Sequence, residues 1–205
     1  MTSELRPVVT GAVEGDLDEA LLRRILSGVG ISLGTVYGRK GKRFLLEAIR
    51  GFNNAAQYSP RVVLVDLDRD CDCAPPCVEK WLARPSARMC FRVAVRSVEA
   101  WLLADRERIG QLLGIRLAWL PIDPDSLEDP KRELINLALR SRKRAVREDL
   151  VPRQGSGRVV GSLYTTRMIA FLQDESAGWR LNEALCVSKS LERCVLRLRT
   201  ITKAS

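Results

Sequence analysis

Carboxylates stand directly after two apolar segments of this 205-residue chain. Glu14 follows the segment 7–13 (PVVTGAV), and Asp66 and Asp68 end the segment 61–68 (RVVLVDLD). Residues two apart along a strand point to the same side, so we expect Asp66 and Asp68 to converge. Carboxylates that lose hydration at a strand end repel each other, and a divalent cation is the simplest compensation. The pattern predicts a divalent-metal site on these three residues.

Histidine is absent from the chain. Its absence excludes Ser-His-Asp and Cys-His catalysis, histidine-ligated zinc and an imidazole base near neutral pH. Catalysis would then depend on carboxylates, lysine, hydroxyl groups or cysteine. Carboxylate oxygens are hard ligands, which suit Mg²⁺ or Mn²⁺ better than zinc. The candidate site is therefore predicted to take Mg²⁺ or Mn²⁺, as one ion or as two.

The segments around these carboxylates alternate between strand and helix patterns. The unbroken apolar run 62–65 indicates a central strand covered on both faces. Strands separated by helices predict an α/β fold with a mostly parallel, Rossmann-like sheet. In such sheets ligands bind beyond the carboxyl ends of the strands, where the strand order reverses. Strands are expected at 7–13, 31–37, 61–68 and 89–95, and helices after an N-cap at Asp16, around Leu45 to Phe52 and from Ser97.

The character of the chain changes after about residue 110. A connector rich in proline and aspartate precedes a predicted series of helices. We expect an α/β core over residues 1–110 and a helical C-terminal region over 111–205, packed on the core. The features expected in that region are the connector 120–130, a helix starting at Asp129-Pro130, a glycine-rich loop at 154–161, and helices around 162–173 and 188–199.

The chain carries a net charge of +9, which favours an anionic partner such as nucleic acid. The stretch 131–147 holds seven Lys and Arg residues and one Glu. Like charges four residues apart weaken a helix, so this excess indicates contact with a phosphate backbone rather than an ordinary solvated face. The predicted contacts are Arg140, Arg142, Lys143 and Arg144.

A second basic segment, YGRKGKR at 37–43, lies between a predicted strand and a predicted helix. It is not a Walker A loop, because Val36 stands where glycine is required and Arg43 where Ser or Thr is required. Its backbone and the side chains of Arg39, Lys40 and Lys42 are nevertheless candidates for nucleic-acid backbone contact. The same turn is also compatible with a solvated surface.

The carboxylate segments resemble a known family. VEGDLDEALLRRIL at 13–26, followed by VVLVDLDRD at 62–70, resembles the Toprim domain of topoisomerases, primases and OLD-family nucleases. More closely, the chain is similar to small bacterial Toprim-like proteins, often encoded beside ABC- or AAA-type ATPases in phage-defence loci. Their likeness extends to VEAWLLAD at 98–105 and to Leu163, Tyr164, Met168 and Phe171.

The resemblance implies roles for individual residues. All three residues of the predicted metal site would be catalytic, with Glu14 as a general acid/base or metal ligand and Asp66 and Asp68 as Mg²⁺ ligands. Glu99 would add a further carboxylate, although a charge favourable to a helix N-terminus explains it equally well. Asp70 would be a ligand through water or an ordinary loop residue. The family also implies a Toprim-like fold, a nuclease activity, an ATPase partner and a part in antiviral defence.

Two functions are left open by these observations. One is a metal-dependent nuclease acting on DNA or RNA with an ATPase partner, and the other is a catalytically weak module that mainly binds that partner. A phospho-acceptor receiver domain fits less well, since Glu14-Gly15-Asp16 matches its acid pair poorly and no fifth strand is evident. A haloacid-dehalogenase-type phosphatase would carry its Asp-x-Asp on the first strand.

The remaining residue types suggest an intracellular protein. The first residues, MTSELRPVV, lack the profile of a secretory signal, and no apolar run reaches the roughly 18–20 residues of a membrane span. We therefore expect a cytoplasmic location, reduced cysteines and packing roles for all four tryptophans. Oligomerisation is possible. Cys71, Cys73, Cys77 and Cys90 have an uncommon spacing for zinc, and Cys186 and Cys194 are expected in the core.

Overall fold

The structure is a computed structural model that describes residues 6–203. Strands and helices alternate strictly in the first half of the chain, as the sequence pattern predicts. The elements are β1 (Val8–Val13), α1 (Asp16–Gly28), β2 (Ser32–Gly38), α2 (Lys42–Ala55), β3 (Arg61–Asp66), α3 (Ala74–Leu82) and β4 (Met89–Ala94).

The strands form one parallel sheet in the order β2-β1-β3-β4. Gly11 of β1 is in register with Val62 of β3, and Asp66 at the end of β3 is in register with Ala94 of β4. The chain leaves β1 to one side to form β2 and then crosses to the other side to form β3. The strand order therefore reverses between β1 and β3. The α/β fold with a parallel, Rossmann-like sheet flanked by helices is confirmed.

Burial explains why β3 occupies the interior of the sheet. Residues 62–65 are at most 1% exposed, although the side chains of successive residues point to opposite faces. Leu45 and Ile49 of α2 and Cys77 of α3 belong to the same buried cluster as Val63 and Val65. Helices thus cover a strand that has no polar side chain between Arg61 and Asp66, and Asp66 is the last residue of β3.

The described chain divides into two compact units. The first contains the sheet, up to Val95, together with residues from Glu192 onward, and the second spans Arg96–Leu191. The boundary expected near residue 110 falls inside the second unit. The later helices are α4 (Glu99–Ala104), α5 (Arg106–Leu113), α6 (Pro130–Leu139), α7 (Arg144–Leu150), α8 (Tyr164–Gln173), α9 (Leu181–Val187) and α10 (Lys189–Lys203), and short 3₁₀ turns cover Leu117–Trp119 and Pro124–Ser126.

The second unit is organised around two fully buried tryptophans. The indole N–H of Trp179 donates to the carbonyl oxygen of Trp101 at 3.0 Å. Nearby in the same unit, the buried carboxylate of Asp105 accepts from the backbone N–H of Arg180 at 2.8 Å and from its guanidinium at 2.8 and 3.0 Å. These bonds pair the Trp179 indole and the Asp105 carboxylate, which would otherwise carry a large desolvation cost inside the unit.

Helix starts and stops differ from the sequence expectation in two places. Asp16 is the first residue of α1, and Gly15 occupies the N-cap position, so the predicted Asp16 cap is wrong. The basic stretch 131–147 is split between α6 and α7 rather than forming one helix. The break has a local cause, because the buried hydroxyl of Ser141 donates to Leu113 O and accepts from the N–H of Lys143 at 3.0 Å. The predicted cap at Asp129 is confirmed, with its carboxylate accepting from Arg132 N–H at 2.9 Å.

The expectation that all six cysteines are reduced is wrong. Cys71 and Cys77 form a disulfide, since the loop after β3 ends at Cys73 and α3 then turns Cys77 back toward Cys71. The pair is consequently unavailable as thiolate ligands, and Cys90 hydrogen-bonds Cys194 instead of joining them. Cys194 is buried as expected, but Cys186 is exposed, so its predicted core position is wrong.

Two expectations concern the chain as a whole. Within residues 6–203, none of the helices combines the length and apolar character that a membrane span requires. The first five residues of the N-terminal segment examined for a secretory signal lie outside the described residues.

Substitution of Gly38, the last residue of β2, tests how closely β2 approaches β1. Gly38 has a φ of +96°, and a Cβ there would lie 2.3 Å from Val13 O and 2.9 Å from a Leu45 methyl carbon. We predict that Gly38→Ala lowers the free energy of unfolding by about 2 kcal/mol or more, because neither backbone nor core can yield easily. Urea unfolding measures the change.

Gly51 is the matched control, since it lies inside α2 and a Cβ there would meet nothing within 4 Å. Gly51→Ala should leave stability unchanged or raise it by up to about 1 kcal/mol. Equal effects of the two substitutions would contradict the close β1–β2 approach.

Candidate functional site

Glu14 and Asp66 meet at the carboxyl ends of neighbouring strands. Glu14 follows β1 and Asp66 ends β3, and Glu14 Oε1 accepts the backbone N–H of Asp66 at 2.7 Å. Asp66 is 7% exposed. Because the strand order reverses between β1 and β3, this contact lies at the position where open α/β sheets bind ligands. The sequence prediction that these two residues come together is confirmed by this contact.

The turn after Glu14 brings in an acid that sequence reasoning missed. Gly15 caps α1, and a Cβ at Gly15 would lie 3.2 Å from Asp18 Oδ2, so the Asp18 carboxylate lies over the turn. Asp18 is buried whereas Asp16 is exposed. The signal was present in the sequence, since both acids lie in the first helical turn, where the helix dipole favours negative charge. Only the packing distinguishes them.

Asp68 lies after the end of β3 and not, as expected, on the strand itself. β3 ends at Asp66, and Asp68 lies in the following turn with a φ of +50°. The expectation that Asp66 and Asp68 share one face of a continuous strand is therefore wrong. Asp68 and Asp70 are both exposed, and both pair with the ammonium of Lys42, at Nζ–Oδ2 distances of 2.5 and 2.7 Å.

The basic turn after β2 positions Lys42. The backbone N–H of Arg39 donates to Val13 O at 2.8 Å, and that of Gly41 donates to Glu14 O at 3.1 Å. Arg39 and Gly41 both have positive φ, of 59° and 81°. These contacts tie the turn to the end of β1, and α2 then begins at Lys42. The turn therefore places the Lys42 ammonium beside the carboxylates of Asp68 and Asp70, a role that the sequence did not indicate.

The environment of Lys42 favours its charged form. Partial burial by itself lowers the pKa of the Lys42 ammonium, but hydrogen bonds to Asp68 and Asp70 and the negative charges of Asp68 and Glu14 outweigh it. The pKa is consequently raised above its ordinary value. Lys42 thus carries its positive charge throughout the physiological range and is held by Asp68 and Asp70.

We call Glu14, Asp66, Asp68 and Asp70, with Lys42, the acidic cluster. Lys42 pairs with Asp68 and Asp70 and also feels the charge of Glu14, so the group carries more negative than positive charge when its carboxylates are ionised. Their oxygens are the donors that Mg²⁺ and Mn²⁺ prefer, and the chemistry of the donor set fits a hard divalent cation. Among residues 6–203, no group of three or more His, Cys, Asp or Glu residues is arranged so that it could hold a metal ion.

Glu99 belongs to the second unit and starts α4. It is 1% exposed, and its Oε1 accepts from the Tyr164 hydroxyl at 3.0 Å and lies 3.4 Å from Lys131 Nζ. Its other oxygen, Oε2, is buried and has no hydrogen-bond partner among the described residues. A favourable helix-dipole charge alone does not require such burial. The role of Glu99 as a further cation ligand stays a prediction.

The predicted nucleic-acid contacts have varied surroundings. Lys40 lies 5.3 Å from the Phe44 ring, and Lys143 Nζ donates to Gln111 O at 2.7 Å. Arg140 lies 5.8 Å from the Trp119 ring, so its guanidinium flanks an aromatic side chain. Arg39 pairs with Glu19, Arg144 pairs with Glu148, and Arg142 is exposed. The predicted packing role of Trp119 is wrong, because this side chain is exposed, whereas Trp101 and Trp179 are buried.

The Lys42 ion pairs predict a specific pH dependence of stability. The pKa of Lys42 is raised on folding, so its stabilisation is present below the ordinary lysine pKa and is lost as pH rises through the folded value. Lys42→Met should lower the free energy of unfolding by about 1 kcal/mol at pH 8. This deficit should begin to shrink above about pH 10.4, the ordinary pKa of lysine, and should disappear as the pH rises through the raised pKa of folded Lys42.

Urea titrations between pH 8 and pH 11.5 measure that difference. Lys40→Met is the control, since the described ion pairs give Lys40 no carboxylate partner and its deficit should not follow the same course. A Lys42→Met deficit that stays constant across the pH range would contradict the pairing.

No protein-family model, curated protein sequence or solved structure was found to match this chain.

Proposed function

We propose that the chain is a divalent-metal-dependent nuclease that hydrolyses phosphodiester bonds of DNA or RNA at the acidic cluster. The observation that supports this most directly is the contact between Glu14 Oε1 and Asp66 N–H at the carboxyl ends of β1 and β3. It gathers negative charge at the edge of the sheet where α/β proteins bind ligands. The basic net charge of the chain suits a polyanionic substrate.

Glu14, Asp66 and Asp68 would hold Mg²⁺ or Mn²⁺, with Asp70 as a further candidate. A bound divalent ion would neutralise the scissile phosphate and lower the pKa of the attacking water. The chain's own residues do the positioning. The N–H of Asp66 orients the Glu14 carboxylate, and burial of Asp66 restricts its rotamers. Lys42 keeps Asp68 and Asp70 close together until a cation of higher charge competes for them.

The resemblance to Toprim-like proteins extends the proposal to a biological setting. In that setting the chain acts in the cytoplasm of a bacterium, as the effector of an anti-phage system, with an ABC- or AAA-type ATPase as partner. The support is the sequence likeness at 13–26, 62–70 and 98–105 together with the parallel sheet. Tyr164 and Glu99, which belong to separate segments of that likeness, hydrogen-bond each other within the second unit.

A second function has an observation of its own. Lys42 already neutralises part of the charge on Asp68 and Asp70. An ammonium in this position makes a permanently bound metal unnecessary for stability, which favours a catalytically weak module whose main role is to bind a partner. The two functions differ in one measurable property, the affinity of the acidic cluster for a divalent ion.

Metal binding is the first prediction of the proposal. Wild-type protein should bind Mn²⁺ in calorimetric titrations, and Asp66→Asn and Glu14→Gln should each weaken that binding by at least about tenfold. Glu14→Gln keeps an oxygen that can accept the Asp66 N–H, so it removes charge with little disturbance of the fold. Asp16→Asn is the matched control, because Asp16 is an exposed acid in the first turn of α1. Equal binding by all four proteins would favour the partner module.

Phosphodiester cleavage is the second prediction. With Mg²⁺ or Mn²⁺, the protein should cut labelled DNA or RNA, if necessary after addition of its ATPase partner, and EDTA should stop the reaction. Asp66→Asn and Asp68→Asn should each lower the rate by about 100-fold or more, since both remove a charged metal ligand. Full activity of Asp66→Asn, together with indifference to EDTA, would contradict the proposal.

A further inference from the structure

The second unit presents an exposed tryptophan flanked by two arginines. Trp119 ends the 3₁₀ turn Leu117–Trp119 and is 41% exposed. The guanidinium carbons of Arg116 and Arg140 lie 5.9 and 5.8 Å from its ring centroid. Arg116 is three residues before Trp119, whereas Arg140 comes from the end of α6. We call these three residues the Trp119 site.

The local backbone fixes Trp119 on the surface. The Arg106 guanidinium donates to Leu117 O and Leu120 O, each at 3.3 Å, and Leu120 is buried. The turn is therefore anchored by Leu120 and leaves Trp119 on the outer side. Tryptophan is usually among the more buried residues, and its exposed apolar area lowers stability.

The charges around the ring are unbalanced. No carboxylate among the described residues lies within ion-pair distance of Arg116 or Arg140, although ten other ion pairs are formed. Two positive charges are thus gathered around one aromatic side chain. Both lie near the outer limit of about 6 Å for a cation–π contact, so they flank the indole rather than cover it. The combination suits a ligand with a flat ring and negative charges beside it.

We propose that the Trp119 site binds single-stranded nucleic acid, with one base stacked on the indole and the neighbouring phosphates paired with Arg116 and Arg140. This proposal deepens the proposed nuclease function and rests on it, because it names the class of substrate. A base inside a duplex is already stacked on its neighbours, whereas a single strand exposes base faces to aromatic side chains. The site therefore discriminates strand type rather than sequence.

Protein partners are the other class to consider. Leu117 and Leu139 are 51% and 54% exposed and would suit an apolar partner surface. The charge distribution favours nucleic acid, because Arg116 and Arg140 both flank the ring and a further exposed arginine, Arg142, follows two residues after Arg140. Phosphates along a strand neutralise several such charges at once.

The test measures binding without catalysis. Fluorescence anisotropy in EDTA would compare a labelled single strand of about 12 nucleotides with a duplex of the same sequence. We expect tighter binding of the single strand, and Trp119→Ala should weaken it about tenfold while changing duplex binding little. Trp119→Phe should restore most of the affinity, because phenylalanine also stacks. Arg140→Gln should make the salt dependence shallower.

Arg153→Gln is the matched control, since Arg153 is an exposed arginine in the loop before α8. It should leave the single-strand preference unchanged. Unaltered single-strand binding by Trp119→Ala would overturn the stacking site and leave this surface to a protein partner. An equal loss of duplex binding would overturn the strand preference. Either result leaves the proposed nuclease intact, because metal binding and cleavage are measured separately with the Asp66 and Glu14 variants.

Discussion

The parallel pairing of β1 with β3 is the constraint on which the site depends. It places the residue after one strand beside the last residue of the other, and the Glu14 carboxylate accepts the Asp66 N–H as a result. Two further acids, Asp68 and Asp70, follow in the loop after β3. The turn after β2 places positive charge beside them, since its hydrogen bonds to Val13 and Glu14 position Lys42 at the start of α2. Strand pairing therefore places Glu14 and Asp66 at one edge of the sheet, and a lysine at the end of an adjacent turn pairs with Asp68 and Asp70.

Much of this arrangement could be predicted from residue patterns. The unbroken apolar run at 62–65 identified the central strand, and the reversal of strand order explains why Glu14 and Asp66 meet. Alternating strands and helices were enough to predict the parallel sheet. These features depend on local periodicity and on general rules for α/β folds, which short segments of sequence express directly.

Other features depend on contacts between distant residues and were not predictable. Nothing local shows that β3 ends at Asp66, that Lys42 meets two acids 26 and 28 residues away, or that Asp18 rather than Asp16 is buried. The disulfide of Cys71 with Cys77 and the outward position of Trp119 depend likewise on how α3 and the turn before Leu120 pack. Pairwise geometry of this kind appears only once the elements are assembled. Charge excess in the stretch 131–147 was recognised, but its division between α6 and α7 was not.

The central claim is that the acidic cluster exchanges the Lys42 ammonium for a divalent ion. Anomalous X-ray scattering from crystals soaked in Mn²⁺ tests it most directly, because manganese is located without reference to activity. The account predicts a manganese peak within coordination distance of Glu14, Asp66 or Asp68 oxygens, with the Lys42 ammonium displaced from Asp68. A crystal saturated with Mn²⁺ that shows no peak there, and retains the ion pairs of Lys42 with Asp68 and Asp70, would contradict it.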